Sequence, residues 1–80
     1  MIKSLTRGTV VFEFEGKTAT LQGEGYLRGH GSPDWVIYAN SLVGWDVPHQ
    51  REVLDDDVKT RLLAALLAAF RARGMTAVVE

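Results

Sequence analysis

The sequence predicts a small α+β domain, with a mixed, mostly antiparallel sheet of four to five strands covered on one face by one helix. Three observations predict this fold. Residues 9–15 alternate between apolar and polar side chains, residues 35–39 are apolar throughout, and residues 55–73 repeat apolar side chains at helical spacing. Because 80 residues give room for one core, we expect residues 1–80 to form a single domain.

The first predicted element is a β-hairpin. The alternation over residues 9–15 is typical of a half-buried strand. Gly16 provides a tight turn, since glycine adopts a positive φ without steric cost, and residues 17–22 return as the second strand. The side chains expected on its buried face are Val10, Phe12, Phe14, Ala19 and Leu21. Residues 2–5 have the composition of a further short strand.

The middle of the chain is predicted as loop, strand and loop. Residues 23–33 are rich in glycine and predict a loop, within which Tyr26 and Leu27 form a brief strand. Residues 35–39 are apolar on both faces, which is typical of a strand inside a sheet. Residues 40–50 predict a second loop.

A helix over residues 55–73 has clear signals at both ends. Asp55 is a favoured N-cap residue, and Leu54 before it can pack against the first turns. Gly74 is suited to the left-handed conformation that ends helices. Residues 75–79 then predict a final strand, which lies parallel to residues 35–39 if the two are neighbours.

The apolar surface of this helix is wider than a sheet needs. One stripe packs on the sheet and consists of Val58, Leu62, Ala65, Leu66 and Ala69. Leu63, Leu67 and Phe70 extend the apolar arc to roughly 200°, against the ~100° that a helix covering one sheet needs. We expect the loop around Trp45, a second copy of the chain or a different protein to cover this flank.

Composition excludes several functional classes. Nine basic and ten acidic residues give a net charge of -1, which argues against a nucleic-acid-binding protein. The longest apolar run, residues 62–70, is far shorter than the ~20 residues that cross a membrane. With no signal-peptide pattern near Met1, we expect a cytoplasmic protein. Because no cysteine is available for disulfides, so small a chain is a candidate for dimerisation.

Residue patterns give little support for catalysis or for a cofactor. The glycine-rich residues 23–31 are expected to precede a strand and lack the Gly-Lys-Ser/Thr of a phosphate loop. His30 and His49 have no metal-ligand spacing. The serines lack the Gly-x-Ser-x-Gly pattern of a nucleophile elbow. We therefore expect no enzyme activity, no metal and no cofactor.

Trp45 is the most informative loop residue. An exposed tryptophan would leave a large apolar face in water, so we expect Trp45 to fold back over the seam between helix and sheet. Pro48 would stiffen the approach to the helix. The alternative, that Trp45 anchors a partner protein, stays open because tryptophan is enriched in interface hot spots.

The order of segments in the second half of the chain is similar to that of a known family. These segments are GSPDWVIYANSL at residues 31–42, Trp45-Asp46, Pro48-His49, the amphipathic helix and RARGM at residues 71–75. Over residues 9–80 the chain resembles the immunity protein 74 family of bacterial polymorphic toxin systems. The resemblance implies a cytoplasmic protein that binds and neutralises a cognate toxin.

We therefore predict a non-catalytic protein-binding module whose partner is a toxin. The residues expected to contact that partner are Tyr38, Trp45, Asp46 and His49, together with His30, Asp34 and Trp35. Leu63, Leu67 and Phe70 are expected to form an oligomer or partner face. Two alternatives stay open: a small homodimeric structural domain, and a small-ligand or enzymatic module built on the glycine-rich loop.

Overall fold

A computed structural model describes residues 1–26 and 33–80 and confirms the α+β prediction. The elements are β1 (Ile2–Leu5), β2 (Thr9–Phe14), β3 (Lys17–Gly25), β4 (Trp35–Ile37), a short 3₁₀ helix (Ala39–Ser41), α1 (Asp56–Ala72) and β5 (Ala77–Val79). The strands form a five-stranded sheet in chain order, β1-β2-β3-β4-β5. All neighbours are antiparallel except β4 and β5, which are parallel as predicted.

The hairpin of β2 and β3 closes through a two-residue turn. Phe14 pairs with Lys17, and the two residues between them, Glu15 and Gly16, have φ values of 52° and 81°. Positive φ at both turn positions is the geometry that matches the twist of the flanking strands. This hairpin confirms the prediction, and its register places Phe12 opposite Ala19.

Strand β3 is longer than predicted. Residues 23–25 were expected in a loop, but they pair with β4, so this part of the prediction is wrong. Gly23 lies where a Cβ would come within 2.4 Å of the carbonyl oxygen of Val36, and Gly25 leaves room for the ring of Trp35. The glycines therefore permit a close approach between strands.

Helix α1 has the predicted caps. The side chain of Asp55 accepts a hydrogen bond of 2.9 Å from the backbone N–H of Val58, and Gly74 follows the helix with a φ of 76°. Arg61 pairs with Asp57 on its own helix at 3.3 Å and with Glu15 in the hairpin turn. These contacts fix the start of the helix against the end of the hairpin.

The core lies between α1 and one face of the sheet. Its fully buried side chains include Phe12, Leu21, Ile37, Leu62, Leu66 and Phe70. The rings of Trp35 and Phe70 are 5.7 Å apart, so Phe70 is covered within the domain and offers no surface to a partner. Leu63 is half-buried against the core, and Leu67 is half-buried outside it. That Leu63 and Leu67 contact another molecule stays a prediction.

Candidate functional site

The face of the sheet opposite α1 carries a mixture of aromatic, apolar and acidic side chains. Successive side chains of a strand alternate between faces, so the neighbours of core residues point away from the helix. We call this surface the outer face, and it comprises Glu13, Thr20, Glu24, Tyr26, Val36, Tyr38, Val78 and Glu80. Val36 shows the alternation well, because it is only 5% exposed yet lies outside the helix-side core that contains Trp35 and Ile37.

Two tyrosines on the outer face share one carboxylate. The phenol of Tyr26 donates a 2.7 Å hydrogen bond to Glu24, and Tyr38 lies close enough to this carboxylate to affect its ionisation. The two phenols, that of Tyr26 first, hold the pKa of Glu24 below its usual value. The same contact with Glu24 raises the pKa of Tyr26 to about 12 and raises that of Tyr38. The carboxylate of Glu24 thus orients Tyr26 on the outer face, and Tyr38 lies beside the same carboxylate.

The loop between the 3₁₀ helix and α1, residues 42–54, lies beside β3 and extends this surface. Thr20 donates a hydrogen bond of 2.7 Å to the carboxylate of Asp46. The backbone N–H of Asp46 donates to the carbonyl of Thr18 at 2.8 Å. Asp46 is therefore brought to the outer face, next to a strand that is distant in sequence.

A comparison with known protein families identifies the family to which this chain belongs. The family model described as Immunity protein 74 matches residues 2–80. The chain belongs to the immunity protein 74 family. This confirms the resemblance on which the sequence-based prediction depended. The chain finds no significant match among curated proteins or among solved structures.

In this immunity protein 74 member the loop is held by buried anchors. Trp45 is 6% exposed and Leu42 is 1% exposed, and both belong to the core. The ammonium group of Lys17 lies 5.3 Å from the centre of the Trp45 ring and 2.6 Å from the carboxylate of Glu52. This salt bridge lowers the pKa of Glu52. Trp45 is therefore folded back onto the core, which is the position expected from the sequence.

The remaining predicted contact residues are spread over the domain. Trp35 is buried beneath α1, and Asp34 accepts a 2.8 Å hydrogen bond from the backbone of Thr76, which joins the starts of β4 and β5. His49 is partly exposed, with its Nε2 atom 3.9 Å from the Glu52 carboxylate. His30 lies outside the described residues. The structure therefore gathers Tyr38 and Asp46 on the outer face, while Trp35 and Trp45 support it from the core. Whether any of these residues contacts a partner stays a prediction.

Three valines of the loop are prominent surface residues that the sequence analysis missed. Val43, Val47 and Val53 are 85%, 75% and 83% exposed. For two of them the sequence held a signal, which is their position next to a leucine: Val43 follows the buried Leu42, and Val53 precedes the half-buried Leu54. Because the loop is anchored, these valines present apolar surface from a defined backbone.

The glycine-rich segment gives limited support to the ligand or enzyme alternative. A cavity of about 710 Å³ lies near it, lined by Leu5, Thr6, Arg7, Glu24, Gly25, Tyr26 and Trp35. Over residues 1–26 and 33–80, no group of histidine, aspartate and glutamate side chains is suited to hold a metal ion. The hydroxyl of Ser41 has a structural role, because it donates a hydrogen bond of 2.6 Å to the carbonyl of Tyr38.

Among the helices of the described residues, none has the length and apolarity needed to span a membrane.

Proposed function

We propose that this protein is a non-catalytic immunity protein that binds a cognate bacterial toxin and neutralises it stoichiometrically. The observation that carries the proposal is the family match over residues 2–80. It is supported by two potentially reactive groups that serve structural roles: Ser41 stabilises a turn and Asp34 joins two strands. We further propose that neutralisation takes place in the cytoplasm, where the protected cell meets the toxin.

The outer face is the surface best suited to this binding. Tyr26 presents a large amphipathic side chain that its hydrogen bond to Glu24 already orients, and Tyr38 lies beside the same carboxylate. Side chains that are ordered before binding lose less conformational entropy in the complex, so more of the contact energy appears as affinity. Tyrosine is also among the residues that dominate binding energy in protein interfaces.

The anchored loop adds apolar area at the border of this face. Val47 follows Asp46, which is hydrogen-bonded to Thr20 on β3. A partner that covers the outer face up to Asp46 therefore meets a 75% exposed valine next in the chain. Burying such a side chain contributes about 1.5–3 kcal/mol if it becomes fully covered.

The decisive experiment is co-expression with the toxin encoded by the adjacent gene, followed by purification of the complex and measurement of toxin activity. We expect a stable complex in which toxin activity is lost at equimolar immunity protein. Failure to form a complex at micromolar concentration would contradict the proposal.

Variants locate the surface in the same assay. Tyr26→Ala and Val47→Ala should each weaken binding about tenfold, because each removes apolar contact area. Arg71→Ala is the matched control, since Arg71 is exposed at the end of α1 on the opposite layer. We expect this control to bind within about twofold of the wild type. An equal loss in all three variants would place the binding site elsewhere.

A homodimer is the second candidate, and one observation favours it. Strand β5 pairs with β4 alone among the described strands, so one edge of β5 is open, and Val78 within it is 42% exposed. An open edge can pair with the same edge of another copy. Light scattering of the purified protein tests this: a concentration-independent monomer mass would reject a homodimer as its working state.

A further inference from the structure

The charges of this nearly neutral chain are unevenly distributed between its two layers. The outer face carries the carboxylates of Glu13, Glu24 and Glu80, and the adjoining loop brings that of Asp46 to its border. The layer formed by α1 carries four basic side chains, Lys59, Arg61, Arg71 and Arg73, against the carboxylates of Asp56 and Asp57 in its first turn. The net charge of -1 therefore conceals an acidic side and a more basic side.

Among the described residues, the charges of Glu24, Asp46 and Glu80 are not compensated by an ion pair. Glu24 accepts a hydrogen bond from Tyr26 and Asp46 accepts one from Thr20, and both donors are neutral. The ion pairs among the described residues involve other carboxylates, those of Glu15, Glu52 and Asp57. The outer face thus presents negative charge that a partner can neutralise.

Among the described basic groups near the sheet, Arg7 lines the same cavity as Glu24 and Tyr26, whereas the Met1 ammonium and Lys3 lie toward the far edge. The Met1 ammonium bonds the backbone carbonyl of Glu13, and Lys3 lies in the irregular part of β1. Glu24 and Glu80 belong to the other half of the sheet, around β3, β4 and β5. There, Glu80 is close enough to influence the ionisation of both Tyr26 and Tyr38. The acidic groups and the tyrosines therefore share one region.

The neighbours of these carboxylates suit arginine in particular. The sheet register aligns Glu24 of β3, Val36 of β4 and Val78 of β5 in one row, beside Tyr38. A guanidinium group pairs with carboxylates through several N–H donors and also stacks on aromatic rings. Tyrosine faces attract such cations within about 6 Å of the ring centre.

We propose that the outer face receives a basic surface of the cognate toxin, whose arginine and lysine side chains pair with Glu24, Asp46 and Glu80 and stack on Tyr38. This inference rests on the proposed function, because it names the chemistry of the partner at the same surface. It makes the acidic layer the binding side and leaves the basic layer of α1 facing solvent.

The test measures binding of an inactivated cognate toxin domain at low and high salt. Charge-driven association is steered by complementary potentials and is screened by salt. We expect the association rate of the wild type to fall about tenfold or more from low to high salt. The triple variant Glu24→Gln, Asp46→Asn, Glu80→Gln should bind at least about tenfold more weakly and lose most of this salt dependence.

A second triple variant separates a local effect from a change in net charge. The variant Glu52→Gln, Asp56→Asn, Asp57→Asn also removes three negative charges, but it removes them from the loop and the start of α1. We expect this control to bind within about threefold of the wild type and to keep the wild-type salt dependence. Thermal unfolding of each variant establishes that it is folded before its binding is measured.

The outcomes distinguish the two proposals. If the affinity of the wild type changes little with salt, the charge inference is overturned and the proposed function stands. The same holds if the outer-face triple variant binds as tightly as the wild type. Equal weakening of both triple variants also overturns it, since the effect would then follow net charge. A dimer that the outer-face variant dissociates would show that a second copy occupies this face, which overturns it as well. Absence of any complex at micromolar concentration rejects both proposals together.

Discussion

Gly23 and Val36 approach so closely that a side chain at residue 23 has no room. A Cβ atom on Gly23 would lie 2.4 Å from the carbonyl oxygen of Val36, far inside van der Waals contact. Both residues belong to paired strands, β3 and β4, beneath the tyrosines of the outer face. This contact therefore fixes the strand pairing on which the candidate binding surface depends.

Replacing Gly23 with alanine should destabilise the domain. The added methyl group meets backbone, which cannot move aside as a flexible side chain would, so we expect a loss of about 1–3 kcal/mol in the free energy of unfolding. Urea denaturation followed by circular dichroism measures this loss. Gly44→Ala is the control, because nothing lies within 4 Å of a Cβ at Gly44. A Gly23→Ala variant as stable as Gly44→Ala would contradict the contact.

Adjacent leucines of α1 should respond very differently to truncation. Leu66 is fully buried in the core, whereas Leu67 is half-buried outside it. We expect Leu66→Ala to cost about 2–5 kcal/mol of stability, because it leaves a cavity, and Leu67→Ala to cost about 1 kcal/mol or less. Thermal unfolding by calorimetry compares the two. Equal losses would mean that α1 is rotated relative to the sheet described above.

Local signals in the sequence were sufficient for most of the fold. The alternation around Phe12 and the N-cap at Asp55 each act within a few residues, and both elements formed as predicted. Gly23 was assigned to a loop because glycine is common in loops, while its actual role depends on a strand more than ten residues away. Phe70 similarly seemed available to a partner until its contact with Trp35 was known.

The N-cap of α1 gives a third prediction. Asp55 accepts a hydrogen bond from the backbone of Val58, which satisfies one of the free N–H groups at the helix start. Asp55→Ala should cost about 0.5–2 kcal/mol in the free energy of unfolding. Asp56→Ala, one residue later, removes a similar charge but no cap, so a smaller loss is expected. Chemical denaturation of both variants checks the difference, and its absence would argue against Asp55 as the cap.

The candidate site was harder to predict because its parts come from separate segments. Tyr38 and Asp46 were singled out as polar or aromatic residues near a loop. Glu24 was not among the predicted contact residues, since its role arises only when β3 brings it near both tyrosines. The two-residue spacing of Glu24 and Tyr26 places them on one face only if this segment is a strand, and the pairing of β3 with β4, which brings Tyr38 near, lies outside any local pattern.

The titration of Tyr26 tests the arrangement on the outer face. Glu24 accepts its phenolic hydrogen bond and raises the pKa of Tyr26 from 10.0 to about 12. The folded state therefore favours the neutral phenol, and this contribution to stability is complete below pH 10 and lost as the pH rises through about 12. For Glu24, whose pKa is lowered, the contribution is present above its ordinary pKa of 4.5 and lost as the pH falls below it.

Tyrosinate absorbance, with circular dichroism to verify folding at each pH, measures the titration of Tyr26. Tyr26→Phe assigns the signal, because the chain has only two tyrosines. In Glu24→Ala the pKa of Tyr26 should return toward 10.0, since both the hydrogen bond and the nearby negative charge are removed. Glu13→Ala, which removes a carboxylate from β2 on the same face, should leave the titration unchanged. Wild-type Tyr26 ionising at its ordinary pKa would mean that Glu24 does not hold it, and the pre-ordered aromatic surface would lose its physical basis.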